Sequence, residues 1–299
     1  MSTIRTGDLA QFTRQMGNMR EVQQRLHTAN EDVATGKAVH RYADLGAASG
    51  KLVRTETALR GAEMFAEQNA QLSQELNLMD GALATIGDVA TSFRKAVIAR
   101  RNDASGTASN LGLEAQGMID TVVNALNLQV DGRYVFGGSR TATPPVDAAG
   151  IGDDPADTDY YQGDQLALRA RIDVDAEATY GVLADDQGFA KLLAGLQLAV
   201  DGHADDDDAK LQEAARLADE ALDGVVAKRS ELATATARID GVRESQQGTA
   251  LYLEETVGAL TDTDVPATMA QISRDQVALE ASYSIMSRLS RLNLTDYLR

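Results

Sequence analysis

Residues 211–260, LQEAARLADEALDGVVAKRSELATATARIDGVRESQQGTALYLEETVGAL, decide the architecture of this chain. Reading Leu211, Ala214, Ala218, Ala221, Val225, Lys228, Leu232, Ala235, Ile239, Val242, Gln246, Thr249, Leu253, Thr256 and Leu260, the steps alternate 3 and 4 throughout. That is the heptad seam of helices packed side by side. At ~1.5 Å per residue such a helix spans roughly 75 Å, too long for one compact domain. A second long helix has its clearest seam at Leu72, Leu76, Met79, Leu83, Ile86, Ala90, Phe93 and Val97, with steps alternating 4 and 3, and ends in the turn signal Asn102-Asp103-Ala104-Ser105-Gly106.

The seams continue to both ends. Leu9, Phe12, Met16, Met19, Gln23, Leu26, Asn30 and Val33 form an amino-terminal seam with two polar interruptions. Gly36 is placed to end this helix in the left-handed conformation, residues 38–43 form a turn, and Asp44 is expected to cap the next helix. At the other end, residues 261–266 break the long helix, with Asp264 as an N-cap before Pro266. A last seam runs Val265, Met269, Ile272, Gln276, Leu279, Tyr283 and Met286, then shifts onto Leu289 and Leu292. Either terminal helix alone is marginal in water, so the two are expected to pair.

Between these helices the pattern changes. A third helix, residues 110–130 with Leu113, Val122, Val123 and Leu126, closes at Asp131-Gly132. Arg133 to Gly138 reads as a strand ending in a glycine turn. Leu166, Leu168, Ala170, Ile172 and Val174 alternate as a half-buried strand, and a short helix spans 189–200. The expected fold is mainly α: an elongated antiparallel helical bundle or coiled coil of the N- and C-terminal regions, with a small β-containing central insertion. The segments are an assembly helix (1–43), two halves of a helical rod (44–132 and 206–262), an acidic β-containing middle (133–205) and a second assembly helix (263–299). Candidate helix-pairing and subunit-interface residues are Leu9, Phe12, Met16, Met19, Leu26, Val33, Met269, Ile272, Leu279, Tyr283, Met286, Leu289 and Leu292.

Composition narrows the function. Aromatic residues make up 4% of the 299 and tryptophan is absent, which suits helix seams better than ligand pockets. Net charge is −17, of which residues 144–210 hold −12, from sixteen acidic and four basic side chains. No basic patch is left for nucleic acid or for an anionic membrane. Without cysteine there is no disulfide or thiolate site. The start, MSTIRTGDLAQFTRQ, lacks the apolar region of a cleaved signal, and no stretch reaches membrane-spanning length.

Sharper chemical readings find little support. His27, His40 and His203 share no metal spacing. Gly46-Ala47-Ala48-Ser49-Gly50-Lys51-Leu52 is one residue short of a phosphate-binding loop and ends in leucine, so a helix start is expected there. Asp153, Asp154, Asp157, Asp159 and Asp205 to Asp208 lack calcium-loop spacing and read as solvated linker. No nucleophile, base and acid are signposted together. Neither enzyme activity, a cofactor nor a small-molecule substrate is expected.

Particular residues resemble a known family. Ala34-Thr35-Gly36-Lys37-Ala38-Val39 through Asp44-Leu45-Gly46-Ala47-Ala48 is similar to the segment near the amino terminus of the bacterial flagellin family, with Leu45 and Gly46 where the family has Asp and Pro. Ala227-Lys228-Arg229-Ser230-Glu231-Leu232 resembles its penultimate helix. Gln276 to Tyr283 and Leu292 to Leu298 resemble its closing segment. Asp131-Gly132-Arg133-Tyr134-Val135-Phe136-Gly137-Gly138 with Thr143-Pro144-Pro145-Val146, and Tyr160-Tyr161-Gln162-Gly163-Asp164, are similar to the central motifs of the hook-filament junction members. The resemblance implies a structural subunit of the extracellular flagellum, exported by the flagellar type III system without a cleaved signal. Its implied partners are further copies of itself in a ring or helical assembly, neighbouring hook-associated and flagellin subunits, and an export chaperone. A filament-forming flagellin, and outside the family a coiled-coil signalling rod or secreted effector, are the alternatives.

Overall fold

The computed structural model describes residues 2–102 and 110–297, and the side chains of residues 10, 12–101 and 110–288. The turn signal at Asp103 to Gly106 therefore lies outside the described residues, and Leu9, Leu289 and Leu292 outside the described side chains. Six helices carry the fold: α1 (Ser2–Thr35), α2 (Ser49–Asn102), α3 (Leu111–Leu126), α4 (Gln187–Asp205), α5 (Asp208–Thr261) and α6 (Val265–Tyr297). Two antiparallel hairpins lie between α3 and α4: β1 (Gln129–Val130) with β2 (Arg133–Tyr134), and β3 (Arg169–Asp173) with β4 (Ala176–Thr179). The chain divides into two compact units, Met1–Gly61 with Thr249–Arg299, and Ala62–Gly248.

The core of the second unit is the seam read from sequence. Leu76, Met79, Leu83, Ile86, Ala90, Phe93 and Val97 are all fully buried, as are Ala214, Ala218, Ala221, Val225 and Ile239 of α5. Polar contacts fix the direction of pairing. Arg94 meets Asp219 at 2.6 Å, Arg229 forks onto Asp80 at 2.9 and 3.0 Å, and the Ser73 hydroxyl donates to Asp240 at 2.8 Å. Positions rise on α2 as they fall on α5, so the helices run antiparallel. Helix α4 closes over them where two glycines remove the obstacle of a side chain: a Cβ on Gly224 would lie 2.6 Å from the Gly188 Cα.

Gln246 was read as a polar seam position, and its burial has a specific partner. Its amide nitrogen donates to the Ile172 carbonyl at 2.8 Å, and its oxygen accepts from Asn69 at 2.8 Å. The Asn69 amide also donates to the Ile172 carbonyl at 2.8 Å. One backbone carbonyl of β3 is thus held by side chains from both long helices. The Arg171 guanidinium lies 5.9 Å from the centre of the Phe65 ring beside this knot, within cation–π reach.

Several local expectations are corrected. Helix α3 ends at Leu126, and Asp131-Gly132 is a hairpin turn rather than a helix end. Both residues have positive φ (51° and 76°), as a type I′ turn requires. On α3 the buried side is Leu111, Ala115, Ile119, Val122 and Leu126, while Leu113 is 71% exposed. Strand β3 is shorter than its alternating pattern, with Leu166 and Val174 exposed at its flanks, and β4 was not anticipated. Asp44 sits in a 3₁₀ turn (Tyr42–Ala48), and α2 begins only at Ser49. The acidic runs are turn and cap chemistry rather than linker. Asp154 and Asp157 accept from the backbone two residues on, Asp206 closes α4 in the left-handed conformation, and Asp207 accepts from Ala209 N–H at the start of α5. The break at 262–264 forms as read, with Asp264 accepting from Ala267 N–H at 3.0 Å.

Removing one corner of the buried knot tests its weight. Asn69→Ala leaves the Gln246 oxygen buried without a donor, and an unsatisfied buried group costs about 1–3 kcal/mol. Urea denaturation followed by circular dichroism should show the second unit destabilised by that amount; an unchanged midpoint would show that the knot carries no weight.

Candidate assembly surface on the terminal helices

In the first unit α1 packs against α6. Arg25 reaches Asp275 at 3.3 Å, Gln23 donates to the Tyr283 hydroxyl at 2.9 Å, and Gly36 accepts from Thr263 N–H at 3.0 Å, so these two helices are also antiparallel. The end of the pair is stitched by backbone. Ala38 and Val39 N–H groups both donate to the Thr261 carbonyl, at 2.8 and 3.3 Å, and Lys37 pairs with Asp262 at 2.6 Å. Gly36, with φ of 72°, ends α1 as its residue type demands and turns the chain into this stitch.

The structure brings together some of the expected interface residues and separates others. Met16, Met19, Leu26, Val33, Leu279 and Met286 are half-buried and Ile272 is buried. Phe12, Met269 and Tyr283 remain 46, 52 and 48% exposed. The polar interruptions Gln23 and Asn30 are exposed, while Val22 is half-buried and Ala29 buried. Val22 and Ala29 were detectable: taking them in place of their neighbours gives steps of 3, 3, 4, 3 and 4 from Met16 to Val33 and removes both interruptions. On α6 the protected positions include Thr268, Asp275 and Ser282, one residue before Met269, Gln276 and Tyr283. No hydrophobic pattern could have found these polar residues.

Ile272, Leu279 and Met286 share that protected side, but other apolar side chains of α6 do not. Val277 is 65% exposed and Ile285 47%, and with Met269 they recur every eight residues along the helix. Helix α6 thus presents a protected, partly polar side, with exposed apolar side chains spread around the rest of its circumference: at 3.6 residues per turn, Met269, Val277 and Ile285 fall about 80° apart in succession.

The central motifs are structural. Phe136 and Tyr160 are buried, and the Tyr160 hydroxyl donates to the Ala184 carbonyl at 3.1 Å; burial pushes its phenol well above the ordinary tyrosine range. The two motif segments meet where Asp164 N–H donates to the Gly137 carbonyl at 3.2 Å and the Asp164 carboxylate accepts from Ser139 N–H at 2.9 Å. The described residues hold no cluster of His, Cys, Asp or Glu able to bind a metal ion.

Two carboxyls of the first unit sit below the usual carboxylate range: Asp275 through hydrogen bonds from Gln271 and then Arg25, and Asp262 chiefly through Lys37. A lowered folded-state pKa means that folding favours the ionised form. The stabilisation is present above the unfolded carboxyl's pKa of about 3.9 and is lost as pH falls through the folded value. Thermal scans by circular dichroism should show the terminal helices unaffected from pH 7 to about 5 and weakened below about 4. The Asp262→Asn, Asp275→Asn double variant should lose part of this acid dependence.

Comparison with known proteins agrees with this geometry. Residues 9–141 match the bacterial flagellin N-terminal helical region, and residues 215–298 match the bacterial flagellin C-terminal helical region. Flagellar hook-associated protein 3 of Escherichia coli (strain K12) is 23% identical, covering 88% of this chain and 90% of that protein. Its namesake from Salmonella typhimurium is 22% identical over the same shares. Among solved structures, a flagellar hook-associated protein from Vibrio parahaemolyticus superposes with a TM-score of 0.64 at 16% identity, covering 73% of this chain and all of that one. Bacillus cereus FlgL gives 0.52 at 15% identity, covering 63% and 98%. Among the described residues no helix is long and apolar enough to cross a membrane. With both of its helical ends matched, the chain belongs to the bacterial flagellin family, whose members are structural components of the flagellum and not enzymes.

Proposed function

We propose that this chain is the adaptor subunit between hook and filament, assembled with copies of itself through α1 and α6. The observation that carries the junction reading is the extent of the likeness to hook-associated protein 3. It covers 88% of this chain, whereas the matches to the flagellin helical regions leave residues 142–214 uncovered. That interval holds the Tyr160-Tyr161-Gln162-Gly163-Asp164 motif, which packs onto the Gly137 turn.

Self-association is supported by the exposed apolar side chains of α6, Met269, Val277 and Ile285. Charge supports it as well: the first unit holds thirteen basic and thirteen acidic residues, so the whole −17 lies in residues 62–248. Copies meeting through a neutral unit face little Coulomb opposition from that unit. Export through the flagellar type III apparatus, with a chaperone over the carboxy-terminal helix beforehand, completes the reading. Exposed apolar side chains need covering until their partner arrives. The neighbours on either side are then a hook-associated protein and the first flagellin subunits.

Antibody labelling of isolated flagella tests the position. A narrow band at the distal end of the hook is expected, and label along the whole filament would assign the chain as a filament subunit instead. Val277→Asp tests the surface. It places a charge on an exposed position, so the monomer should keep its fold, but burying that charge at a subunit contact costs on the order of a few kcal/mol. Incorporation into flagella should fall at least tenfold; wild-type occupancy would remove α6 from the interface.

A further inference from the structure

Among the described residues, Asp275 is the single charged side chain that is buried, at 4% exposure. It lies in the protected side of α6, between Ile272 and Leu279. Each of its oxygens has one partner: Oδ1 accepts from the Arg25 Nη2 of α1 at 3.3 Å, and Oδ2 from the Gln271 amide, one turn back on α6, at 3.1 Å. Arg25 spans from this site to Glu21, four residues earlier on its own helix, at 3.2 Å. Glu21, Arg25, Gln271 and Arg274 line one groove between the two helices.

Arg25 keeps 47% of its side chain exposed, so the desolvated partner is the carboxylate, and burying a carboxylate is a poor means of gaining stability because desolvation offsets most of the attraction. An apolar pair at these positions would hold the helices at least as well. What the ion pair adds is discrimination. A carboxylate in a seam needs a cation opposite it, and α6 packed on another α6 would put no residue in the place of Arg25; the neighbouring Arg274 donates instead to the Gln271 oxygen at 2.9 Å. A second α1 on α1 would bring Arg25 against Arg25. A polar group at one seam position fixes partner and register in coiled coils at a cost in stability. The terminal helices need such a device, since their apolar residues, mostly Met, Leu, Val and Ala, pack against many partners equally well.

We propose that Arg25 and Asp275 form a pairing key, which makes α1 accept α6 and excludes homotypic pairing of either helix between copies. Both are positioning residues. The inference does not depend on where in the flagellum the protein sits.

The test uses the full chain in four forms: wild type, Arg25→Asp, the charge swap Arg25→Asp with Asp275→Arg, and the apolar pair Arg25→Met with Asp275→Leu. Hydrogen exchange should show α6 protection reduced on the order of a hundredfold in Arg25→Asp, where two carboxylates face each other. The swap should recover most of it. The apolar pair should match or exceed wild-type protection while associating more strongly than wild type in sedimentation at equal concentration. A swap that recovers nothing would refute the direct pairing. An apolar variant with wild-type protection and wild-type association would refute the discriminating role while leaving the pairing intact. Neither result bears on the position seen by antibody labelling, so failure here and failure of the junction assignment are separable.

Discussion

A 54-residue helix with an apolar seam cannot bury that seam against itself, and this constraint organises the second unit. The seam of α5 must be covered along its length by something equally regular, and α2 is the other 54-residue helix of the chain. Once they pair antiparallel, each face left open calls for a short element. Helix α4 fits over the pair because Gly188 and Gly224 allow the backbones to touch. Helix α3 then packs on α4, and the β3–β4 hairpin is held at the Asn69–Gln246 knot. The polar groups of this arrangement are spent on capping, turning and holding carbonyls.

How well each part could be read depended on how many packings its residues allow. The α2 seam was legible residue by residue because bulky Leu, Met, Ile and Phe recur in it at alternating steps of 4 and 3, leaving one face that can bury them all. On α1 the bulk is smaller, and steps of 3 and 4 can be ordered in two ways that differ only at Val22 or Gln23 and at Ala29 or Asn30. Choosing between them requires the partner. The same holds for α6, where Asp275 is inside and Val277 outside, the reverse of what hydropathy alone implies. Asp131-Gly132 was misplaced for a different reason: the same dipeptide can end a helix or turn a hairpin, and only the pairing of Gln129 with Tyr134 decides.

Charge separates the two units as sharply as packing does. Thirteen positive and thirteen negative residues cancel in the terminal unit, while the other carries −17. At physiological ionic strength, charges more than about 8 Å apart are largely screened. The acidic unit therefore acts on close neighbours, and the neutral unit adds no net repulsion of its own. Under the proposed assembly through α1 and α6, a chain with its acidity spread evenly would oppose that contact.

Each unit also places polar side chains inside an otherwise apolar seam, and the two cases differ in kind. In the knot, Asn69 and Gln246 satisfy a carbonyl of β3 and one another, so no charge is buried and the gain is a fixed position for the hairpin. At Arg25 and Asp275 the buried group is ionised, and its partner comes from the opposite end of the chain. Two hundred and fifty residues separate them in sequence. A local contact cannot supply that discrimination, because any amphipathic helix would satisfy the apolar positions of α6. Only a helix carrying a cation at the level of Asp275 satisfies the carboxylate as well. The seam supplies the affinity between the chain's two ends, and the Arg25–Asp275 ion pair within it supplies the choice.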